Sequence, residues 1–308
     1  MSFVEAIIKI FDASIFNVRR MGQKLKFMIK SKDNLPCLYL EFNQNEGILE
    51  VGSLNKCNAG DDGKGNALLH RVNALASSIP EIRSIILTDK SEITLCNVII
   101  HFSTLRILTT GMSWYNYHGY FSENHVENFE HNQSIIIQPF DKMLVAALKK
   151  NVEIFMENNS REKITEIMRQ SELHMTYDHW AKRFKYHQAI LNDYDNYMQT
   201  GLHNVQLQFD EIKNNDVFTD VPQTDTVRAY VTGVLHSIGG PSLRCDPVQT
   251  KRAELLKKIV DFMKSLIVYN VDLTKPLIRA GGKRRRMQTK RNGKKGCKKS
   301  KRNNKRKS

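Results

Sequence analysis

The sequence predicts an α/β domain over residues 1–139, a mainly α-helical region over 140–280 and a disordered polybasic tail over 281–308. Three observations carry that division. Short strand-forming runs alternate with turn residues in the first part, apolar residues recur at three-to-four spacing after Pro139, and the unbalanced charge is confined to the end. Residues Lys283 to Ser308 hold 15 Lys or Arg and no Asp or Glu, whereas residues 1–282 hold 32 basic and 32 acidic side chains. The body is formally neutral and the tail is a polycation.

The first segment, MSFVEAIIKIFDASIF, is apolar but broken by Glu5, Lys9 and Asp12. It has no basic leader and no small-residue cleavage site, so it is not read as a signal peptide. Residues 23–31, 36–43 and 47–54 read as a three-strand antiparallel meander. In the first of these, Leu25, Phe27 and Ile29 share one face while Lys24, Lys26 and Lys30 share the other, the pattern of a half-buried strand. A glycine-rich turn follows, Gly60 to Gly65. Ala67, Leu68, Val72, Leu75 and Ala76 then recur at helical spacing until Pro80. Residues 82–88 read as a strand, Asn97 to Leu108 fits strand or helix, and 134–138 reads as a last strand before Pro139. The order β-β-β-α-β is that of an α/β domain.

Residues 142–158, 161–175, 178–198 and 250–270 read as amphipathic helices. Tyr177, Trp180, Phe184 and Tyr186 are expected in the core of that region rather than as a base-stacking platform. Gly281 and Gly282 form the hinge into the tail.

Composition excludes several classes. No run approaches the ~20 apolar residues that cross a bilayer. Cys37, Cys57, Cys96, Cys245 and Cys297 are odd in number and lack a CxxC pair, which predicts reduced thiols in an intracellular protein. His118, His125 and His131 fit no standard ligand spacing, so no metal site is expected.

Two motifs bear on chemistry. GKGNALL, residues 63–69, follows a strand and opens a helix, which aims backbone N–H groups at whatever lies beyond the helix N-terminus and suits phosphate oxygens. WYNYHGY, residues 114–120, is an aromatic turn in which Trp114 and Tyr120 look like core residues and Gly119 releases the chain into a strand.

Meander, glycine turn, helix, strand and aromatic turn, in that order, resemble the GNAT superfamily of N-acetyltransferases, with a mixed sheet and helices. Gly63, Gly65, Ala67, Leu68 and Leu69 match the family's glycine loop, and Trp114, Tyr115, Gly119 and Tyr120 match its later aromatic segment. The segment TTGMSWYNYHGY is also similar to one in acetyltransferase-like proteins of large DNA viruses of eukaryotes. The resemblance covers roughly residues 20–138. It implies that acetyl-CoA is held by the backbone of Gly63, Lys64, Gly65 and Asn66, with Gly52 and Leu54 pairing the pantetheine arm like an added strand. It implies Tyr115 as the acid that protonates a departing thiolate, and Glu50 as a base for the incoming amine, through water. The chain departs from the family at Gly60, where an Arg or Gln is usual, and at Asp61 and Asp62, which would repel a pyrophosphate. A non-catalytic protein on the same scaffold is the alternative.

The tail residues Lys283, Arg284, Arg285, Arg286, Lys290, Arg291, Lys294, Lys295, Lys298, Lys299, Lys301 and Arg302 are expected to bind nucleic acid or another polyanion through phosphate, without reading sequence. Each phosphate neutralised contributes about −0.9 to the slope of log affinity against log salt on duplex DNA. KRRR at 283–286 also fits a nuclear-import signal, so the expected location is the nucleus or another nucleic-acid-rich compartment, a virion included.

Overall fold

The computed structural model describes residues 3–11, 16–30, 36–54, 65–172, 176–215, 225–239 and 245–277. Residues Met1–Leu277 form one compact unit, and every described residue belongs to it.

Helix α1 (Phe3–Phe11) buries Phe3, Ala6, Ile7 and Phe11, one stripe of a helix. The meander follows as β1 (Phe16–Met21), β2 (Lys24–Lys30), β3 (Pro36–Asn43) and β4 (Ile48–Leu54). Its last three strands are those expected, and β1 is an addition. Helix α2 (Gly65–Ser78) then crosses to β5 (Ser84–Thr88), which lies parallel to β4. With β8 at Asp272–Pro276, the sheet order is β1-β2-β3-β4-β5-β8, and every pairing except β4 with β5 is antiparallel. The final strand, β8, comes from the far end of the helical half and pairs with β5 from Ser84↔Pro276 to Thr88↔Asp272.

One face of the sheet is apolar. Phe27, Leu38, Leu40, Phe42, Leu49, Val51, Ile85 and Leu87 pack with α1 and α2 into a single core. Phe3 stacks on Phe42 with ring centres 4.9 Å apart, which fixes α1 against β3. Full burial of each such Leu, Ile or Phe contributes about 1.5–3 kcal/mol. The other face is polar. Lys24 and Lys26 both bridge Glu41, at 2.7 and 3.1 Å. The two hydrogen bonds from those lysines, Lys24 first, hold the Glu41 carboxyl below its usual pKa.

Beyond β5 a hairpin forms from β6 (Glu92–Leu95) and β7 (Val98–His101). Its two turn residues, Cys96 and Asn97, have φ of +50° and +65°, as a type I′ turn requires. Helix α3 (Phe102–Thr110) starts directly from β7, so the ambiguous run 97–108 is strand and then helix. A short α4 (Trp114–Tyr117) leads to α5 (His125–Ile136), α6 (Phe140–Asn158), α7 (Arg161–Glu172), α8 (Tyr177–Asn192), α9 (Tyr194–Lys213), α10 (Val227–Ile238) and α11 (Pro247–Met263). A second core gathers Ile100, Leu108, Phe140, Tyr230, Leu256 and Ile259 with their neighbours. It draws on β7 and α3 as well as on helices after Pro139.

Three expectations are corrected. Residues 134–136 are the last turn of α5, not a strand. The isoleucine run has strand propensity, but Ile136 is fully buried in the second core, and packing overrides propensity there. The cysteines are not all reduced: Cys96 and Cys245 form a disulfide with Cα atoms 5.4 Å apart, and Cys37 is also disulfide-bonded. The hairpin turn and the start of α11 supply the two partners from positions 149 residues apart, a proximity that spacing in sequence does not reveal. Finally, α8 contributes no buried residue. Tyr177 and Tyr186 are exposed, while Trp180 and Phe184 are half-buried and stack on each other at 4.9 Å.

Candidate active site

Sequence dictates an irregularity at the end of β4. Leu40 pairs with Val51 and Tyr39 with Ser53, so Gly52 is the extra residue of a bulge. A Cβ there would lie 2.5 Å from Cδ1 of Tyr39, so the Tyr39 ring requires glycine at this position. On its other side β4 pairs with β5 only as far as Val51↔Leu87. From Gly52 to Leu54 the backbone has left the parallel ladder with β5. Crevices beyond the carboxyl ends of parallel strands are where open α/β sheets take ligands.

Helix α2 begins at the same end. A Cβ built on Gly65 would meet Cδ2 of Leu54 and Cη2 of Trp114, each at 3.6 Å. No acidic side chain occupies the first turn of α2, so its N-terminal N–H groups keep their positive field. Gly63 and Lys64 lie outside the described residues.

The aromatic motif is folded onto this helix. Ser113 caps α4 with a reciprocal pair of hydrogen bonds to Asn116. Past α4, Gly119 takes a φ of +86°, a left-handed conformation that favours glycine. Tyr120 is fully buried and donates its hydroxyl to Asn73 Oδ1 of α2 at 3.0 Å. His118 Nε2 lies 3.1 Å from Asn66 Oδ1, and the Trp114 and His118 rings are 4.7 Å apart. The helix that opens at Gly65 and the segment that holds Tyr115 are thus neighbours in space.

Charge at this junction is positive. Lys275 of β8 donates to the His118 carbonyl at 2.9 Å. Burial, then the charges of His70, Lys275 and Arg106, hold the His118 pKa below its ordinary value. Arg106 Nε is buried and has no hydrogen-bond partner among the described residues. Such surroundings favour an anion.

Tyr115 is buried within the sheet core, edge-on to Trp114 at 4.7 Å. Burial first, then the charge of Asp89, pushes its pKa up to about 12. The phenol therefore keeps its proton at neutral pH. Its hydroxyl makes no hydrogen bond among the described residues. Trp114 is half-buried, and Tyr120 is core, as expected.

Glu50 lies elsewhere. Leu49 and Val51 on either side of it point into the core, so Glu50 points to the polar face, opposite Glu41 and exposed. Tyr115 packs on the apolar face. The structure does not bring the two together.

Sequence reasoning missed several residues of this region. Asp89, directly after β5, is buried and accepts hydrogen bonds from Ser91 N at 3.0 Å, from Ser91 Oγ at 2.6 Å and from Ser103 Oγ. Tyr269 donates its hydroxyl to the Asp89 carbonyl. Asn73 and Lys275 were missed as well. Lys275 stands 157 residues from the carbonyl it meets, so no local signal could find it. Among the described residues no group of His, Cys, Asp and Glu could hold a metal ion. His118, His125 and His131 go to separate partners: Asn66, the Phe121 ring and the Leu266 carbonyl. The twelve tail cations named above lie outside the described residues. Among those that are described, no helix is long and apolar enough to cross a membrane. Comparison with protein-family models, with curated proteins and with solved structures finds no match for the chain.

Proposed function

We propose that the chain is an acetyl-CoA-dependent N-acetyltransferase acting on an amine, carried to a polyanion by its tail. One observation carries the reading: the end of β4 that β5 leaves unpaired, the N-terminus of α2 and the α4 segment with Tyr115 converge at the carboxyl end of the parallel strand pair. The residues present fit the coenzyme. Gly52 bulges at the strand edge, no acidic side chain stands in the first turn of α2, and the charges of Lys275 and Arg106 act on His118 beside it.

When bound, the thioester supplies an activated acetyl group. The chain's own residues do the rest. The α2 terminus, with Gly63, Lys64, Gly65 and Asn66, holds phosphate oxygens on backbone amides. Gly52 and Leu54 orient the arm by strand addition. Tyr115 holds a proton at its hydroxyl in a buried, apolar setting, available to a leaving thiolate. Glu50 is given no part in this scheme, because it faces the other side of the sheet.

A non-catalytic scaffold that binds a polyanion is the second reading. Gly60 and the Asp61–Asp62 pair favour it. Calorimetry of residues 1–282 with acetyl-CoA separates the two, because removing the tail removes nonspecific phosphate binding while Met1–Leu277 stays whole. The expected result is one-to-one binding that Gly65→Glu weakens by about tenfold or more. A Cβ there makes only ordinary van der Waals contact with Leu54 and Trp114, and a carboxylate at a helix N-terminus favours the helix while repelling phosphate. Absence of binding by the parent leaves the scaffold reading.

A further inference from the structure

A cleft of about 470 Å³ lies between α3, α4, α5 and the segment leading into β8. Small-molecule sites span about 300–1,000 Å³ and combine apolar walls with a few placed polar groups. Helix α4 divides this cleft from the α2 terminus: Trp114 and His118 meet α2, while Asn116 and Tyr117 line the cleft.

The walls are apolar and aromatic. Tyr117, Phe121, Val126 and Phe129 line the cleft and are exposed, an unusual gathering of large apolar side chains at one surface. None of the lining residues among those described is Asp, Glu, Lys or Arg. His125 also lines the cleft, and Lys264 lies 6.0 Å from the ring of the lining Tyr269.

The polar groups on one wall include free acceptors. Ser122, Asn128 and Asn270 all line the cleft. The Asn270 and Asn128 amides both meet Ser122 Oγ, at 2.9 and 3.5 Å. A hydroxyl has one proton, so it can satisfy at most one carbonyl oxygen. At least one of the two amides must therefore donate to Ser122, which leaves its own carbonyl oxygen as a free acceptor. Neither Oδ1 has a partner among the described residues. Free acceptors beside aromatic faces suit N–H donors, and an ammonium also gains from the ring quadrupoles.

We propose that this cleft binds a small amine carried on an aromatic or branched apolar body, its nitrogen donating to the Asn128 and Asn270 carbonyl oxygens. The site stands without the coenzyme reading. If that reading holds, the amine is an acceptor presented from the opposite side of α4.

The test uses the full chain at physiological salt, with 2-phenylethylamine and 3-phenylpropionate as probes of similar size and opposite head groups. Binding is followed by calorimetry and by saturation-transfer NMR. The amine is expected to bind saturably, with the carboxylate about tenfold or more weaker. Val126→Trp, at a position 51 % exposed, fills the cleft from its rim and is expected to abolish amine binding without unfolding the protein. Asn270→Asp is expected to raise amine affinity several-fold by adding a charge beside the nitrogen. Amine binding that survives Val126→Trp, equal binding of the carboxylate, or no saturable amine binding overturns the proposal. Acetyl-CoA binding is measured in parallel on residues 1–282, free of the tail's nonspecific affinity for phosphate. Its failure with the amine still bound removes the coenzyme reading alone, and the reverse result removes the cleft assignment alone.

Discussion

Breaking the Cys96–Cys245 bond should remove a large share of the stability of the folded unit. The bond closes a loop of 149 residues in the unfolded chain. In the chain-entropy picture a loop of that length corresponds to about 5 kcal/mol at 25 °C, and disulfides typically deliver 2–4 kcal/mol of stability. The native setting supports the upper part of that range. Cys245 packs against the second core, so replacing it also puts a hydroxyl beside apolar side chains there. The perturbation is Cys245→Ser, which leaves the Cys37 disulfide intact, as global reduction would not. Denaturant melts of parent and variant are compared, each with and without reductant. The expected loss is about 3–5 kcal/mol, which for a unit of this size lowers the thermal midpoint by on the order of 10 °C. The variant should also respond less to reductant than the parent. A loss below about 1 kcal/mol would refute the reasoning, since no cross-link over so long a loop acts so weakly without strain in the folded state.

Other perturbations probe the rest of the molecule. Gly52→Ala drives a Cβ into the Tyr39 ring and should cost about 1–3 kcal/mol, with Tyr39→Ala recovering part of the loss in a double-mutant cycle. His101 Nδ1 accepts from the Thr104 amide at 3.2 Å and must be unprotonated to do so. Burial first, then Lys264, holds its pKa below the usual value. Its contribution is therefore present above the unfolded value of about 6.5 and lost as pH falls through that value towards the folded one. His118 adds a term of the same sign. His101→Asn keeps an N-cap and should make the decline in urea midpoint between neutral and acid pH shallower. Deleting residues 283–308 should abolish polyanion binding and its salt dependence, and retained affinity in a filter or fluorescence assay would count against the electrostatic account.

The parts of the fold legible in sequence are those fixed by local pattern. The alternation of Leu25, Phe27 and Ile29 with lysines marks β2, and the spacing of Leu68, Val72 and Leu75 behind glycines marks α2. Elements set by distant partners were hidden. The strand β8 is five residues, Asp-Leu-Thr-Lys-Pro, with only Leu273 buried, and nothing local distinguishes it from a loop. The hairpin turn at Cys96–Asn97 lacks the glycine that usually marks a type I′ turn. At the candidate site, the glycine turn and aromatic segment were readable as motifs. Their contact through Asn66, Asn73, His118 and Tyr120 was not, because it depends on how α2 and α4 cross. Glu50 was assigned from its strand, and only burial of its neighbours reveals which face it serves.

The late arrival of β8 has a consequence for synthesis. Strand β5 is translated long before its partner, and the pairing of Thr88 with Asp272 spans 184 residues. Until residue 276 leaves the ribosome, one edge of β5 presents unpaired N–H and C=O groups, a template for pairing with other chains. Contacts of such long range also slow folding, which prolongs that exposure. The helical half must be made before the sheet can be closed, so a fragment ending at residue 139 should be prone to aggregation even with every residue of the meander and α2 present. The last strand thereby acts as a quality check on the whole unit: only a chain translated through Pro276 can cover the edge that its own first third creates.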